Sequence, residues 1–395
     1  MTANPNEIIY WLQDVREHLR VSQRRKSLRQ AGQGVDYTQD RDSIRGIVSR
    51  LHPSQMKLRL TEIIQQTPST KTFRFERTDG PLPPFRPGQY VNVFVDVDGV
   101  LTSRPYSIAS PPGSETLELT VKDKPGGFVA PFLLNELRVS DVLDTTGPEG
   151  NFYYEPLIDG DKLVFLAGGS GITPFMSIIM ETLEGGGEKR ALQIQLLYGC
   201  RMQDDVIYGE ELAELAAKHN NFDYSLVISE ASPEYGGLTG LLNAELIHQL
   251  VDDVQGKTFY ICGPNVMYDF CLAALYQLGV PRHKIKRELY GPPDDITCEP
   301  GWPEGISPDR IYTVKIAGQK TVRAPAGEPL MNTLERYGIV IPAICRAGDC
   351  SACRIRLLSG KVFMPAQTGI RESDREYGYI HACVSYPLED LQIRI

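Results

Sequence analysis

No run of 18 apolar residues occurs in this chain, so the sequence offers no helix that could span a bilayer. Nothing at the given N-terminus reads as an export signal. Met1-Thr-Ala-Asn-Pro leads into a polar segment with neither a basic n-region nor an apolar h-region, which sets the expectation of a cytoplasmic protein without disulfides. Positive charge is not in excess: 41 Lys and Arg face 50 Asp and Glu, a net charge of −9, which argues against nucleic acid as the main partner. Internal repeats and low-complexity tracts are missing. With 42% hydrophobic and 23% charged residues, the 395-residue chain reads as an ordinary globular protein of two to four domains.

Only eight cysteines are present, and four of them carry the strongest pattern. Cys345, Cys350 and Cys353 read C-x4-C-x2-C, and Cys383 follows after 29 residues. This is the ligand spacing of a plant-type [2Fe–2S] cluster, in which thiolates hold both irons. Gly348 permits a tight turn between them, and Arg346, Ala347, Asp349, Ser351 and Ala352 are mostly small or polar. Such a loop can aim backbone N–H groups at sulfur and lower the cost of the cluster's negative charge. A zinc site usually shows two short Cys pairs, whereas only Cys350–Cys353 is one here. The scattered Cys200, Cys262, Cys271 and Cys298 read by default as small buried hydrophobes.

The periodicity divides the chain. Ile8, Ile9, Trp11, Leu12, Val15, Leu19 and Val21 predict a helix from Asn6 to about Arg29, ended at Gly32-Gln-Gly34, with a shorter helix from Asp42 to Leu51. Residues 1–60 hold eleven Lys and Arg against six Asp and Glu, so this segment is +5 and, with a net charge of −9, the remainder is −14. Lys57–Ile64, Lys71–Glu76, Tyr90–Val97, Tyr106–Ala109 and Leu117–Lys122 are β-rich runs between Pro and Gly turns, as in a small antiparallel barrel. Strands at Lys162–Ala167, Gln193–Cys200, Phe222–Ile228, Thr258–Cys262 and Lys284–Tyr290 alternate with helices at Pro174–Glu184, Glu210–Lys218 and Asn265–Gln277. That alternation indicates a doubly wound parallel sheet. A stiff Pro- and Gly-rich linker follows, then a hairpin (Tyr312–Ile316, Lys320–Ala324), a helix near Leu330–Tyr337 and the cysteine loop. The expected domains are a helical extension at 1–55, a β-barrel at 56–157, an α/β domain at 158–291, a linker at 292–308 and the cysteine domain at 309–395.

The barrel and the α/β domain carry cofactor signals of their own. Arg104-Pro105-Tyr106-Ser107 combines a cation, a rigid turn residue, an aromatic ring and a hydroxyl, suited to a flavin's phosphate, its isoalloxazine and a ring nitrogen. Lys122 begins a segment in which Gly126 and Gly127 open a helix expected at Val129–Leu137, a candidate pyrophosphate turn. Gly168-Gly-Ser-Gly171-Ile-Thr173-Pro174 follows an apolar strand and precedes a helix, although it is not a GxGxxG fingerprint. Cys262-Gly263-Pro264 and Tyr198-Gly199 mark two further strand ends. Three glycine-marked turns at the carboxyl ends of parallel strands converge where open α/β sheets bind ligands.

In this order the motifs, with Glu288-Leu-Tyr290, resemble the ferredoxin–NADP reductase superfamily over residues 56–395. With a C-terminal ferredoxin the arrangement is similar to three-cofactor reductase components of multicomponent oxygenases and demethylases, of the phthalate dioxygenase reductase or phenylacetyl-CoA epoxidase reductase type. The resemblance implies a flavin barrel, a nicotinamide-nucleotide domain and a β-grasp [2Fe–2S] ferredoxin. It implies that Arg104 contacts flavin phosphate, that Tyr106 packs on the isoalloxazine with Pro105 beside it, and that Ser107 bonds near N5. It assigns Gly126 and Gly127 to pyrophosphate, and Gly168, Gly171, Thr173, Pro174, Gly263, Pro264 and Tyr290 to the cofactors. Cys262 and Glu288 fall beside the hydride path. Where the family often places Ser or Thr, Val129-Ala130 stands, which leaves FMN open beside FAD.

The function so implied is NADH-dependent electron transfer through flavin and [2Fe–2S] to an external acceptor protein, whether hydroxylase, demethylase or corrinoid protein. A self-sufficient flavin reductase or diaphorase, and a docking subunit of a larger redox complex, are the alternatives. NADPH enzymes need a cation for the 2′-phosphate, and here Glu230 stands beyond the third strand, so NADH is expected. Arg201 on the neighbouring strand end opposes that expectation. Arg16, Arg20, Arg24, Arg25, Lys26 and Arg29 give the N-terminal helix a basic face, read either as solvated or as docking an acidic partner.

Overall fold

The computed structural model describes residues 48–395 apart from Pro125 and 186–191, together with Leu19, Ser22, Gln23 and Gly46. The chain forms two compact units, Met1–Leu51 and His52–Ile395. In the first, Leu19, Ser22, Gln23, Gly46 and residues 48–51 are helical. The rest of the expected N-terminal helix, its basic face and the Gly32–Gly34 stop lie outside the described residues. Among the described residues no helix is long and apolar enough to cross a membrane.

The second unit opens with a six-stranded antiparallel sheet in the order β4-β3-β6-β1-β2-β5. Its strands are β1 (Met56–Thr67), β2 (Thr70–Arg77), β3 (Tyr90–Val97), β4 (Val100–Ser107), β5 (Leu117–Lys122) and β6 (Val142–Thr145). Period-two burial builds it: Met56, Leu58 and Leu60 face the core while Lys57 and Arg59 face solvent. An isolated bridge between Ile108 and Leu119 joins the two ends and curls the sheet into a barrel. A short helix, α1 (Ala130–Glu136), buries Leu133 and Leu134 against it. β4 starts earlier than the expected Tyr106, because Asp98 and Gly99 both take positive φ (52° and 80°) and form a tight hairpin turn with β3.

The next sheet is wholly parallel, ordered β10-β9-β8-β7-β11-β12. It comprises β7 (Lys162–Gly168), β8 (Gln193–Cys200), β9 (Phe222–Ile228), β10 (Leu238–Thr239), β11 (Thr258–Cys262) and β12 (Ile285–Glu288). The helices are α2 (Ile172–Glu184), α3 (Gly209–Lys218), α4 (Ala244–Val251) and α5 (Asn265–Gln277). Helices cover both faces, so β7 reads as an uninterrupted apolar run. Phe165 stacks on Phe175 of α2 with centroids 4.6 Å apart, while Val164 and Leu166 join Ile247 and Leu275 on the opposite side. Winding reverses between β7 and β11, which makes their carboxyl ends a topological switch point.

A mixed five-stranded sheet, β14-β13-β19-β15-β17, completes the unit, with β13 (Ile311–Ile316) parallel to β19 (Leu391–Arg394). The others are β14 (Thr321–Pro325), β15 (Arg354–Ser359) and β17 (Tyr379–His381); β16 (Val362–Phe363) pairs separately with β18 (Tyr386–Pro387). Helix α6 (Leu330–Arg336) lays Leu330, Met331 and Leu334 on the sheet, a β-grasp arrangement; α7 (Glu372–Glu376) is a single short turn. The Pro- and Gly-rich linker is anchored to this part by Trp302, whose ring meets Phe363 and Tyr386 edge-on at 5.4 and 6.4 Å.

Candidate functional site

Strand β4 delivers Arg104, Pro105, Tyr106 and Ser107 at its carboxyl end. Arg104 donates from Nη1 to Thr102 Oγ1 and to Ser103 O, both at 2.7 Å. Burial, then the like charge of Arg346, lowers its pKa to about 10. Glu335 is the carboxylate that faces these two guanidinium groups, and the Nε of Arg346 is buried without a partner. A buried surplus of positive charge with spare donors fits a bound anion such as a flavin phosphate. Tyr106 keeps its phenol neutral, its pKa raised by burial. Lys122, by contrast, is engaged by Asp205 at 3.1 Å. Gly126 takes φ +72° in the turn that leads to α1.

At the switch point the glycine turn after β7 packs onto β11. A Cβ on Gly171 would stand 2.1 Å from Cys262 O, so only glycine allows this approach. Tyr198 of β8 braces the turn, donating to Gly169 O at 2.9 Å and accepting from Ile207 N at 3.2 Å. Thr173 and Pro174 occupy the first turn of α2 and are buried. Gly263 and Pro264 lead into α5, whose Tyr268 accepts from Gly263 N at 3.2 Å and donates to Glu288 O. Arg201 and Glu230, on adjacent strand ends, pair with each other at 2.8 Å, both exposed.

In the cysteine loop the sulfurs fall into two pairs. Cys353 Sγ lies 3.2 Å from Cys383 Sγ, while Cys345 Sγ accepts from Ala347 N and Cys350 N, each at 3.4 Å. Within each pair one thiol is pushed down by its neighbour (Cys350 to about 6, and Cys353) and the other up (Cys345 and Cys383). Paired sulfurs, one thiol of each pair ready to give up its proton, with amides turned toward Cys345 Sγ, fit a thiolate-held two-iron cluster. No group of three or more His, Cys, Asp or Glu side chains placed to hold a metal ion occurs among the described residues. Gly348 turns the loop at φ +87°, where a Cβ would strike Val384 at 2.8 Å, and its carbonyl meets His381 Nδ1 at 2.7 Å.

These three parts meet. The hydroxyls of Ser107 and Tyr290 hydrogen-bond across 183 residues of sequence. Cys262 is fully buried beside Tyr290, Tyr268 and Glu288, and burial keeps it a neutral thiol. Glu288 in turn faces Cys345 and Asp349 of the cysteine loop. Asn92 Nδ2 of β3 donates to Ile344 O at 2.6 Å, and Thr102 Oγ1 of β4 donates to Glu335 of α6 at 2.9 Å. Asn92, Thr102, Glu335 and Arg346 carry no sequence signal as site residues; they read as ordinary strand, helix and loop positions.

Glu288 supplies a pH test. Burial first, then Cys345 and Asp349, raises its pKa from the ordinary 4.5 to about 8. The folded state therefore retains this proton when the unfolded state has lost it. Stability falls as pH rises through that window, and the ionised group above pH 8 costs on the order of a few kcal/mol. Glu288→Gln is expected to raise Tm over the parent, with a gap that widens between pH 6 and pH 9. A gap that stays constant or closes in calorimetry would contradict this.

Three family models match the chain: "Oxidoreductase FAD-binding domain" over residues 57–154, "Oxidoreductase NAD-binding domain" over 165–272 and "2Fe-2S iron-sulfur cluster binding domain" over 314–388. The ferredoxin reductase component of 3-ketosteroid-9-alpha-monooxygenase from Mycobacterium tuberculosis is 32% identical over 349 residues, 85% of this chain and 94% of that protein. The glycine betaine monooxygenase reductase subunit of Pseudomonas aeruginosa is 28% identical over 350 residues, with the same shares of 85% and 94%. The solved structure of phthalate dioxygenase reductase superposes with a TM-score of 0.63 at 19% identity, over 86% of this chain and 98% of that one, and so shares the fold. The chain belongs to the ferredoxin–NADP reductase superfamily, in the family of oxygenase reductase components that join FAD-binding, NAD-binding and [2Fe–2S] domains.

Proposed function

We propose that this chain is the reductase of a multicomponent oxygenase or demethylase, oxidising NADH and delivering electrons singly to a separate acceptor protein. The observation that carries this is the meeting of the three parts: Ser107 touches Tyr290, and Glu288 stands between Cys262 and Cys345. When bound, FAD supplies the conversion of a two-electron hydride donor into one-electron steps, and the [2Fe–2S] centre carries those electrons outward.

The chain's own residues bind and orient. In this reading Arg104 holds flavin phosphate, and Pro105 and Tyr106 fix the ring plane. Ser107 offers its hydroxyl at the reacting edge, and Gly126 and Gly127 let backbone approach the pyrophosphate. The turn from Gly168 to Pro174 and the Cys262-Gly263-Pro264 turn receive the nicotinamide nucleotide. Tyr290 covers the flavin site, and Glu288 keeps a proton near it. Cys345, Cys350, Cys353 and Cys383 hold iron. The working division is 56–157 for flavin, 158–291 for nucleotide, 292–308 as linker and 309–395 for the cluster. NADH supply and thiolate-held iron suit a cytoplasmic setting.

Anaerobic mixing with NADH tests the reading. Flavin absorbance should bleach first, and the reduced-cluster EPR signal should follow in the same molecules. An oxidised cluster beside fully reduced flavin would overturn it. Nucleotide choice gives a second test. Arg201 is the cation placed to meet a 2′-phosphate, but Glu230 holds it. Glu230→Gln should release it and shift the NADPH-to-NADH ratio of kcat/KM by about tenfold toward NADPH. Wild-type enzyme that uses NADPH as well as NADH would remove the basis for this.

A further inference from the structure

Cys345 is gripped on both sides by the barrel. On one side, Asn92 Nδ2 of β3 donates to the carbonyl of Ile344 at 2.6 Å. On the other, Arg346 Nη2 donates to Thr102 Oγ1 of β4 at 3.1 Å. The Thr102 hydroxyl is used to capacity. It accepts from Arg346 and, at 2.7 Å, from Arg104, and both guanidinium groups can only donate. Its single proton must therefore go to Glu335 Oε2, 2.9 Å away on α6. Glu335 also pairs with Arg346, whose Nη1 reaches Oε2 at 3.3 Å. Thr102, Glu335 and Arg346 are each no more than 4% exposed, and Asn92 is fully buried. Water cannot substitute for these bonds at such burial, so breaking one strands a partner.

Resting on the electron-transfer reading above, we propose that Asn92 and Thr102 are positioning residues for electron passage from flavin to cluster. They fix the residues flanking one ligand, Cys345, onto β3 and β4, the paired strands of the flavin barrel of which β4 carries Arg104–Ser107. The one-electron step itself needs no protein group to change its bonding: the reduced flavin loses one electron and the oxidised cluster gains it. What the protein supplies is a fixed separation between the two.

The test is Thr102→Val, which keeps the shape and removes the hydroxyl, beside Thr102→Ser, which restores it. Because Thr102 Oγ1 also accepts from Arg104, flavin content and the rate of flavin reduction are measured in the same single-turnover mixing with NADH, and cluster reduction is read relative to that rate. Cluster reduction should slow by about tenfold or more in the valine variant and recover in the serine variant. Iron content and the dithionite-reduced EPR signal should be unchanged. In iron-loaded, flavin-stripped protein, amide exchange over residues 344–352 should quicken in Thr102→Val. If the valine variant does not load iron, Asn92→Ser, which frees only the Ile344 carbonyl, carries the same measurements. Wild-type cluster reduction in a variant with normal cofactors overturns the positioning role, as does equal slowing in Thr102→Ser. Failure of the wild-type cluster to be reduced by NADH would instead overturn the underlying function.

Discussion

Replacing Cys383 with alanine is expected to empty the iron site while leaving the flavin half of the enzyme running. Cys383 and Cys353 have their sulfurs 3.2 Å apart and buried, placed to act as one pair of the proposed ligands, and no spare thiol stands ready to replace the lost one. Cys200, Cys262 and Cys271 are buried in the nucleotide domain core, and Cys298 sits in the linker beside Asp295. Iron should fall from about two per chain, the stoichiometry of a [2Fe–2S] centre, to near zero. The dithionite EPR signal should vanish with it. NADH-dependent ferricyanide reduction should persist, because Arg104–Ser107 and the glycine turns are untouched, whereas delivery to an oxygenase should be lost. The side chain itself lies in the core with Ile355, Ile380 and Val384, so some loss of Tm is also expected. Full iron content in the variant, measured by elemental analysis, would remove Cys383 from the ligand set.

How far the sequence reveals this molecule follows from the range over which each feature is specified. The cysteine spacing is local, since three of four cysteines fall within nine residues, and it points directly to the [2Fe–2S] domain that the family model matches. Strands with one solvated face, such as β1, show their alternation directly, and β7 shows the unbroken run of a strand covered on both faces. A start at Tyr106 is too late for β4, although Asp98-Gly99 is a strong hairpin signal that moves it to Val100. β6 and α4 have no counterpart in the sequence reading. The helix does carry one cue, Asn243, whose side chain caps it by accepting from Leu246 N at 2.9 Å.

The contacts that join domains have no sequence cue. Thr102 looks like any strand threonine, and Glu335 like the outer face of a helix ending in Arg336. Arg346 looks like a spacer between ligands. Their meaning arises when residues more than 230 positions apart are folded together, as Thr102 and Glu335 are. The same holds for Ser107 and Tyr290. Motif order suggests that both serve the flavin, but their mutual hydrogen bond is a property of the fold.

A methyl group at Gly171 should be among the most damaging single-atom additions available in the nucleotide domain. Gly171 has φ −64° and ψ −6°, which any residue can adopt, so the requirement for glycine is one of space. A Cβ there would lie 2.1 Å from Cys262 O, 2.4 Å from Cys262 C and 2.6 Å from Gly263 N. All three are backbone atoms of the turn that ends β11, so no side chain can swing aside. Gly171→Ala must separate the β7–α2 turn from the β11–α5 turn, at the switch point where nucleotide is read to bind. Overpacking of this kind costs about 3 kcal/mol or more. The displaced groups include Thr173 on one side and Cys262 and Gly263 on the other, so kcat/KM for NADH should fall by about a hundredfold, the scale of a 1 Å misplacement. Flavin and iron content should stay near wild type in protein that folds, because Arg104–Ser107 and the four loop cysteines are themselves unchanged. Calorimetry and steady-state kinetics decide it: a Tm unchanged and kcat/KM within twofold of wild type would mean that the two turns can part without consequence, and that the close approach is not what shapes the nucleotide site.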